Sequence, residues 1–297
     1  MKGIILAAGA GTRLYPASIP ISKVLLPVYD KPMIYYPLSN LMMGGIRDIL
    51  VITNEEDGPR FRKLLGDGSQ FGVHIDYLIQ YVPKGISDAF IIAEEWIDGD
   101  DVALVLGDNI FCGPDMQSLI RSAIEENEGA TVFGYRVDDP ERFGVVEFDA
   151  DMNAVSIEEK PKKPKSNYAV VGLYFYDGKA CELAKTLVPS DRGELEITDL
   201  NRRYMEEGKL KVKLLGDEVR WLDAGTFDSL LEAGNFVKDV RDKYKINVGC
   251  LEEIALKNGF VNKEEVIERI GKFKDNSYMT YVKGICGFRL SENRADQ

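Results

Sequence analysis

Four short runs of apolar residues are the feature that most restricts the fold of this chain. They cover residues 3–7, 48–53, 102–107 and 130–137, and helical patterns of about 10 to 15 residues separate them. A continuous apolar run of this length is typical of a strand that is buried on both faces of a parallel sheet. The alternation therefore predicts βαβ units and an α/β fold with a mainly parallel sheet.

Apolar periodicity predicts four helices in the first half of the chain, and glycines indicate where some of them end. Pro37 lies inside the first helical segment, so we expect a kink or a late start there. The predicted helices are 31–45, 55–65, 87–97 and 118–126.

The second half has shorter elements and ends in helices. We predict strands at 143–148, 154–159, 168–176 and 210–215, the first two forming a hairpin, and helices at 195–208, 226–244, 251–258 and 262–271. Thr226 or Asp228 should cap the long helix, and Asn262 with Glu265 reads as a capping box.

These elements predict a core over 1–245 and a helical C-terminal extension over 246–297. We divide the core into two halves, about 1–137 and about 138–245.

Composition excludes several classes of protein. The chain has 37 Lys and Arg against 49 Asp and Glu, a formal net charge of −12, so we expect neither nucleic acid nor an anionic membrane as partner. Four scattered cysteines without a CxxC pattern fit a reducing cytoplasm. The single histidine, His74, rules out a metal site with several histidines. No apolar run approaches the roughly 20 residues of a membrane span.

The segment after the first strand, Leu-Ala-Ala-Gly-Ala-Gly-Thr-Arg over residues 6–13, indicates an anion-binding loop. Small residues let backbone amides approach a ligand closely, and Arg13 adds a fork of donors suited to phosphate. Lys23 could reach the same phosphates. The segment lacks the Gly-Lys-Ser/Thr of a P-loop and the third glycine of a dinucleotide fingerprint, which disfavours an NAD-dependent dehydrogenase. A tight turn with a surface arginine is the alternative.

Two aspartates lie next to the ends of predicted elements. Asp108 comes just after the strand at 102–107, and Asp223 precedes the long helix. Ligands of open α/β sheets bind at the carboxyl ends of strands, and Mg²⁺ often takes only one or two protein carboxylates. The two residues are therefore candidate magnesium ligands. The alternatives are that Asp108 belongs to a simple turn and that Asp223 caps the long helix.

A second basic cluster is predicted from Lys160 and Arg192, each with neighbouring glutamates such as Glu159 and Glu194. The cations could bind a second phosphate, and the carboxylates could accept sugar hydroxyls. A surface ion pair between Glu159 and Lys160 is the alternative.

Together these motifs resemble the sugar-1-phosphate nucleotidyltransferases, over about residues 1–262. Residues 29–37 (Tyr-Asp-Lys-Pro-Met-Ile-Tyr-Tyr-Pro) and 192–198 (Arg-Gly-Glu-Leu-Glu-Ile-Thr) are the more specific, and point to the glucose-1-phosphate thymidylyltransferase branch. The other segments that carry the resemblance are 9–16, 22–28, 65–72, 106–111, 157–161, 166–170 and 172–177.

The resemblance implies a Rossmann-like, mainly parallel mixed sheet flanked by helices, with the nucleotide at its carboxyl edge. It also implies that the half over about 1–137 binds the nucleotide and that the half over about 138–245 binds the sugar phosphate. Arg13, Lys23 and Lys160 would be the catalytic cations, and Asp108 and Asp223 would hold Mg²⁺. The implied nucleotide-binding residues are Ala8, Gly9, Gly11, Thr12, Arg13, Lys23, Gln80, Gly85 and Asp108. The implied sugar-phosphate-binding residues are Asn109, Gly144, Glu159, Lys160, Val170, Tyr174 and Arg192.

It also implies the reaction: dTTP and glucose 1-phosphate give dTDP-glucose and pyrophosphate, the first step of deoxy-sugar synthesis of the dTDP-rhamnose type. The short helical tail matches the homotetrameric type of this family. The chain departs from the usual pattern at Ala8, Val24 and Asp88, the last standing where Gln is common, and these positions flank the nucleotide. Use of UTP or CTP instead of dTTP, and a non-catalytic nucleotide-sugar sensor, therefore stay as alternatives.

Overall fold

A central mixed sheet organises the structure, a computed structural model that describes residues 1–287. The strands are β1 (Lys2–Leu6), β2 (Pro27–Val28), β3 (Lys31–Pro32), β4 (Asp48–Thr53), β5 (His74–Ile79), β6 (Val102–Leu106), β7 (Asn109–Cys112), β8 (Ala130–Arg136), β9 (Gly144–Phe148), β10 (Ala154–Glu159), β11 (Tyr168–Tyr176), β12 (Leu210–Leu214) and β13 (Arg220–Asp223). The α-helices are α1 (Tyr35–Met43), α2 (Gly58–Leu65), α3 (Asp88–Ile92), α4 (Glu94–Ile97), α5 (Met116–Glu125), α6 (Ala180–Lys185), α7 (Ile197–Glu206), α8 (Phe227–Tyr244), α9 (Leu251–Lys257), α10 (Lys263–Ile270) and α11 (Ser277–Ile285).

The nine-stranded sheet runs in the order β12-β8-β11-β6-β1-β4-β5, with β9 also on β11 and β10 on β9. Strands β11 and β10 run opposite to the other seven, because β11 pairs antiparallel with β6, β8 and β9, and β10 pairs antiparallel with β9. The prediction of a mainly parallel mixed sheet flanked by helices, with a helical C-terminal appendage, is confirmed.

Two apolar cores cover the two faces of the sheet, which explains the uninterrupted apolar runs. Ile5 and Val105 belong to one core, and their neighbours Ile4 and Leu104 belong to the other. All four side chains are fully buried. Successive side chains of a strand point to opposite faces, so a strand covered on both faces must be apolar at every position.

Some element boundaries differ from the prediction for local reasons. The helix expected over 31–45 begins at Tyr35, because β3 pairs with β2 in a small hairpin. The helix expected over 195–208 begins at Ile197, because the backbone of Leu195 bonds to Lys84 and Ser87 instead. Strand β5 was missed, since His74 and Asp76 interrupt its apolar pattern. The small β7-β13 pair and helices α6 and α11 were also missed.

Helix caps follow the sequence closely. The hydroxyl of Thr226 accepts a hydrogen bond from the Ser229 amide at 3.2 Å, and the Ser229 hydroxyl accepts one from the Thr226 amide at 3.0 Å. Asn262 and Glu265 form the same reciprocal arrangement at the start of α10. Both predicted caps are confirmed, and the structure chooses Thr226 over Asp228 for α8.

The C-terminal helices share the core of the sheet domain. Helix α9 packs on α1, and Leu251 and Ala255 belong to the same apolar cluster as Ile5. Asn258 donates a hydrogen bond to the Met42 carbonyl at 2.5 Å. The division of the chain at residue 245 stays a prediction. Within residues 1–287, none of the helices combines the length and apolar character needed to span a membrane.

The topology gathers loops at one edge of the sheet. Strands β1, β5 and β6 are parallel, so the loops that follow them meet at their carboxyl ends. Strand β6 pairs with the second half of β11, and β9 pairs with the first half. The start of β9 therefore lies beyond the end of β6.

Candidate active site

A cleft of about 470 Å³ opens at the carboxyl edge of the sheet. It brings together predicted site residues from both halves of the sequence. Those that line it are Gly9, Arg13, Gln80, Gly85, Asp108, Asn109, Gly144, Glu159, Lys160, Val170, Tyr174, Arg192 and Asp223. Four predicted residues do not line it, namely Ala8, Gly11, Thr12 and Lys23.

The loop after β1 folds back onto Lys23. Gly11 has a left-handed backbone with φ of 62°, and its carbonyl accepts a hydrogen bond from the Ser18 hydroxyl at 2.7 Å. A Cβ at this position would lie 3.2 Å from the Cβ of Lys23. Glycine therefore allows both the backbone conformation and the close approach. Of this loop, Gly9 and Arg13 reach the cleft.

Lys23 forms an ion pair with Asp108 at the end of β6. Both side chains are mostly buried. Burial alone would raise the pKa of Asp108, but the Lys23 ammonium and hydrogen bonds from Lys23 and Asn109 outweigh it and hold the pKa below its usual range. Asp108 is therefore a carboxylate at neutral pH. Lys23 neutralises this carboxylate and does not itself line the cleft. Its predicted role as a cation for the nucleotide phosphates stays a prediction.

Asp223 reaches the same place from β13. Its neighbour Ala224 donates a backbone hydrogen bond to the Asp108 carbonyl at 3.0 Å. Burial and the negative charge of Asp108 raise the pKa of Asp223, and nearby cations, including Arg13, oppose this shift. A Cβ on Gly225 would lie 3.0 Å from the Asp223 carboxylate and 3.6 Å from the Arg13 guanidinium. The glycine leaves room for both groups.

Two neighbouring carboxylates fit a divalent cation. Burial, and after it repulsion by Asp108, raises the pKa of Asp223, and a bound cation would relieve the repulsion. Within residues 1–287 no group of three or more acidic, histidine or cysteine side chains is arranged to hold a metal ion. A site with only two carboxylates suits Mg²⁺, which keeps several waters and binds substrate phosphates.

Asn109 has a structural task in this site. Its side-chain oxygen accepts hydrogen bonds from the Gly172 amide at 3.1 Å and the Trp221 indole at 2.6 Å. Its amide nitrogen donates to Asp108 at 3.1 Å. Asn109 thus ties β7 to β11 and β13 and orients Asp108. Its predicted contact with the sugar phosphate stays a prediction.

The opposite wall of the cleft carries Glu159 and Lys160 at the end of β10. Lys160 is a non-glycine residue with φ of 43°, a sparsely populated conformation that often occurs at functional sites. Glu159 accepts a hydrogen bond from the Thr198 hydroxyl at 2.6 Å and lies 3.6 Å from the Lys160 ammonium. A Cβ on Gly144 would come within 3.3 Å of Glu159, so glycine keeps this wall open.

Arg192 belongs to the same wall. Its guanidinium donates to both carboxylate oxygens of Glu196 at 2.9 Å, and it lies 3.6 Å from Glu159 and from Glu194. The arginine is nevertheless half-exposed, so donors remain for a ligand. Burial raises the pKa of Tyr174 at the cleft floor, which keeps its hydroxyl protonated and able to donate.

Gln80 and Gly85, between β5 and α3, also line the cleft. Gly85 has φ of 98°, and the backbone of Leu195 passes directly against it. Leu195 donates to the Lys84 carbonyl at 2.6 Å and accepts from the Ser87 amide at 3.1 Å. These bonds join the predicted nucleotide segment to the loop that carries Arg192.

We expect Gly85→Ala to destabilise the protein and to raise the KM for the nucleotide. The Cβ would lie 2.5 Å from the Leu195 carbonyl oxygen, in addition to the backbone strain. The clash and the backbone strain together should lower the free energy of unfolding by roughly 2–5 kcal/mol, measured by urea unfolding. Gly45→Ala is the control, since Gly45 has φ of 85° but no neighbour within 4 Å. This variant should lose only about 1–2 kcal/mol of unfolding free energy. Equal losses in the two variants would contradict the close-approach explanation.

Several residues at the cleft were missed in the sequence. Arg142 and Trp221 line it, and Arg142 forms an ion pair with Asp139 at 2.6 Å. Arg142 lies in a charged loop and has no local pattern that separates it from a solvated arginine. Trp221 precedes Asp223 by two residues, and this proximity was the only signal for it.

A family model described as nucleotidyl transferase matches residues 2–240, which contain the whole cleft. The chain belongs to the nucleotidyl transferase family. Family members of this kind generally use a divalent metal ion, in agreement with the paired carboxylates.

Relatives in this family place the chain in one branch. It is 56% identical to glucose-1-phosphate thymidylyltransferase of Neisseria gonorrhoeae, over 97% of this chain and 100% of that protein. It is 50% identical to glucose-1-phosphate thymidylyltransferase of Mycobacterium tuberculosis, over 95% of this chain and 98% of that protein. The predicted resemblance to this branch is confirmed.

Solved structures of nucleotidyl transferases have the same fold. One from Bacillus anthracis, named as a glucose-1-phosphate thymidylyltransferase in complex with a sucrose, is 44% identical, with a TM-score of 0.74 over 80% of this chain and 96% of that one. A UDP-glucose pyrophosphorylase complexed with UDP-glucose has a TM-score of 0.72 over 81% of this chain and 99% of that one at 23% identity, which shows the fold alone.

Proposed function

We propose that this protein transfers a dTMP group from dTTP to glucose 1-phosphate and forms dTDP-glucose and pyrophosphate. The cleft carries the proposal, because Arg13 and the paired carboxylates line it together with Lys160 and Arg192. Such a site can hold two phosphorylated substrates together. Relatives named for this activity match nearly the full chain at 50–57% identity.

The reaction needs positioning more than proton transfer. A phosphate oxygen of glucose 1-phosphate, already anionic, attacks the α-phosphorus of dTTP, while the bond from that phosphorus to the β-bridging oxygen breaks and pyrophosphate leaves. No general base is required for this step. The single histidine, His74, is exposed on β5 beside Asp48 and Asp76 and does not line the cleft, so it is not placed to act as a base. Holding the reactants in line can supply an effective molarity of about 10⁵ M or more.

Charges in the cleft lower the repulsion between the two substrates. Arg13 would bind the triphosphate, and Lys160 and Arg192 would bind the sugar phosphate, each neutralising charge that builds up in the transition state. Glu196 holds the Arg192 guanidinium in place before substrate arrives. Tyr174 and Glu159 would face the sugar hydroxyls.

Asp108 and Asp223 would hold Mg²⁺, which supplies Lewis-acid screening of the nucleotide phosphates when bound. Lys23 keeps Asp108 ionised for this task. We also propose that the protein works in the cytoplasm as a homotetramer. Exposed apolar residues on α8, Phe227 and Leu231, support an interface between copies.

The test is pyrophosphate release with Mg²⁺, glucose 1-phosphate and each of dTTP, UTP, CTP, ATP and GTP in parallel. We expect the highest kcat/KM with dTTP. UTP should be used less well, because a methyl group in an apolar pocket is worth about 1–3 kcal/mol. A preference for UTP would move the assignment to a uridylyltransferase with the same mechanism. No release with any nucleotide or sugar phosphate would support a sensor instead.

A further inference from the structure

Asp88 and Gln80 form a buried polar pair, and Gln80 lines the cleft. The Gln80 amide nitrogen donates to the Asp88 carboxylate at 2.8 Å, and both residues are less than a tenth exposed. Gln80 follows β5, where its backbone amide bonds to the Thr53 carbonyl at 2.9 Å. Asp88 is the first residue of α3. The pair therefore joins two elements that are fixed independently.

The chemistry of this pair sets the direction of the Gln80 amide. An ionised carboxylate only accepts hydrogen bonds, so the NH₂ group of Gln80 must face Asp88. The carbonyl oxygen Oε1 is left over. Gln80 lines the cleft, and within the described part of the chain Oε1 accepts no hydrogen bond. A glutamine at position 88 could donate as well as accept and would not impose this direction.

We propose that Asp88 is a positioning residue for base selection, which acts by fixing the Gln80 carbonyl toward the nucleotide. This inference rests on the proposed function, because it assumes that the base lies against Gln80. The fixed carbonyl oxygen accepts a hydrogen bond from the N3–H of a thymine or uracil base. Asp88 itself makes no contact with the base.

The same carbonyl disfavours cytosine. Its N3 is an acceptor, so two acceptors would face each other without a proton between them. Binding of cytosine would require the Gln80 amide to turn over, and the NH₂ group would then lose Asp88. A buried polar group without a hydrogen-bond partner costs free energy. The Asp88–Gln80 pair therefore makes the binding free energy of CTP, but not that of dTTP or UTP, less favourable.

The experiment compares kcat/KM for dTTP, UTP and CTP in the full-length protein and in Asp88→Ala. UTP and CTP differ only at the edge of the base that Gln80 would contact. We expect the UTP-to-CTP ratio to fall roughly tenfold or more in the variant. Asp76→Ala is the matched control, because Asp76 also accepts one side-chain hydrogen bond at 2.8 Å, but its donor Trp96, unlike Gln80, does not line the cleft. Its ratio should equal that of the wild type.

A Gln80→Ala background separates a positioning role from a merely structural one. Removing Asp88 in this background should change the ratio by less than about twofold, because the group it orients is gone. The same fall in both backgrounds would overturn the proposal. If Asp88→Ala does not fold, as judged by its thermal midpoint, Asp88→Asn replaces it. We expect at least a threefold fall in that case, and an unchanged ratio would overturn the proposal.

Failure of this inference differs from failure of the proposed function. A wild-type protein that uses neither dTTP nor UTP would remove both. A wild-type protein that prefers dTTP or UTP, with a ratio that Asp88→Ala leaves within threefold, would remove only the role of Asp88.

Discussion

Asp108→Asn should lower kcat by about 10²–10³-fold, the largest effect that we expect from a single isosteric change. The substitution removes one of the two carboxylates that line the cleft at the ends of β6 and β13. It also leaves the Lys23 ammonium without its charged partner. Turnover is measured by pyrophosphate release, and the fold by circular dichroism and the thermal midpoint.

The chain offers a matched control for this variant at the other end of the same strand. Asp100 precedes β6 and pairs with Lys2 at 3.0 Å, as Asp108 follows β6 and pairs with Lys23. Asp100→Asn should keep wild-type turnover. A metal role also predicts that Asp108→Asn raises the Mg²⁺ concentration needed for half-maximal activity. An unchanged metal dependence, or near-normal turnover, would remove Asp108 from the metal site.

The fold could be predicted where the residues of a segment share one preference, such as burial in a strand. Strand 48–53 is bounded as predicted, because every side chain after Asp48 is buried on one or the other face. Strand β5 lies at the edge of the sheet, where most of its side chains are partly exposed to solvent. Its mixture of polar and apolar residues therefore has no clear period. The late start of α7 depends on the contact of Leu195 with Lys84, which no local pattern contains.

The site could be predicted only as separate residue types at the ends of strands. Sequence reasoning named Asp108 and Lys23, but it could not show that the two side chains form an ion pair, because they are far apart in the chain. Position 88 was noticed as a departure from the family pattern, while its contact with Gln80 depends on how β5 and α3 are placed. Arg142 was missed because only the folded hairpin brings it to Asp223.

Arg13→Ala should lower kcat/KM for dTTP by about 10²-fold with almost no change in stability. Arg13 is exposed on the loop after β1, so its removal leaves no cavity, yet its guanidinium is close to Asp223 at the cleft. A cation that binds the triphosphate equally well in the ground state and the transition state would change only KM. We expect kcat to fall as well, because charge moves onto the leaving pyrophosphate during the step.

Arg13→Lys should be intermediate, since lysine keeps the charge but loses the planar fork that matches two phosphate oxygens. Arg60→Ala is the control, because Arg60 is a half-exposed arginine on α2 whose ion pair with Asp57 lies away from the cleft. The measurements are kcat and KM for dTTP at two salt concentrations, together with the thermal midpoint. A kcat/KM within threefold of the wild type would exclude Arg13 from the nucleotide site. A parallel fall in activity and thermal midpoint would show instead that the loop needs Arg13 to fold.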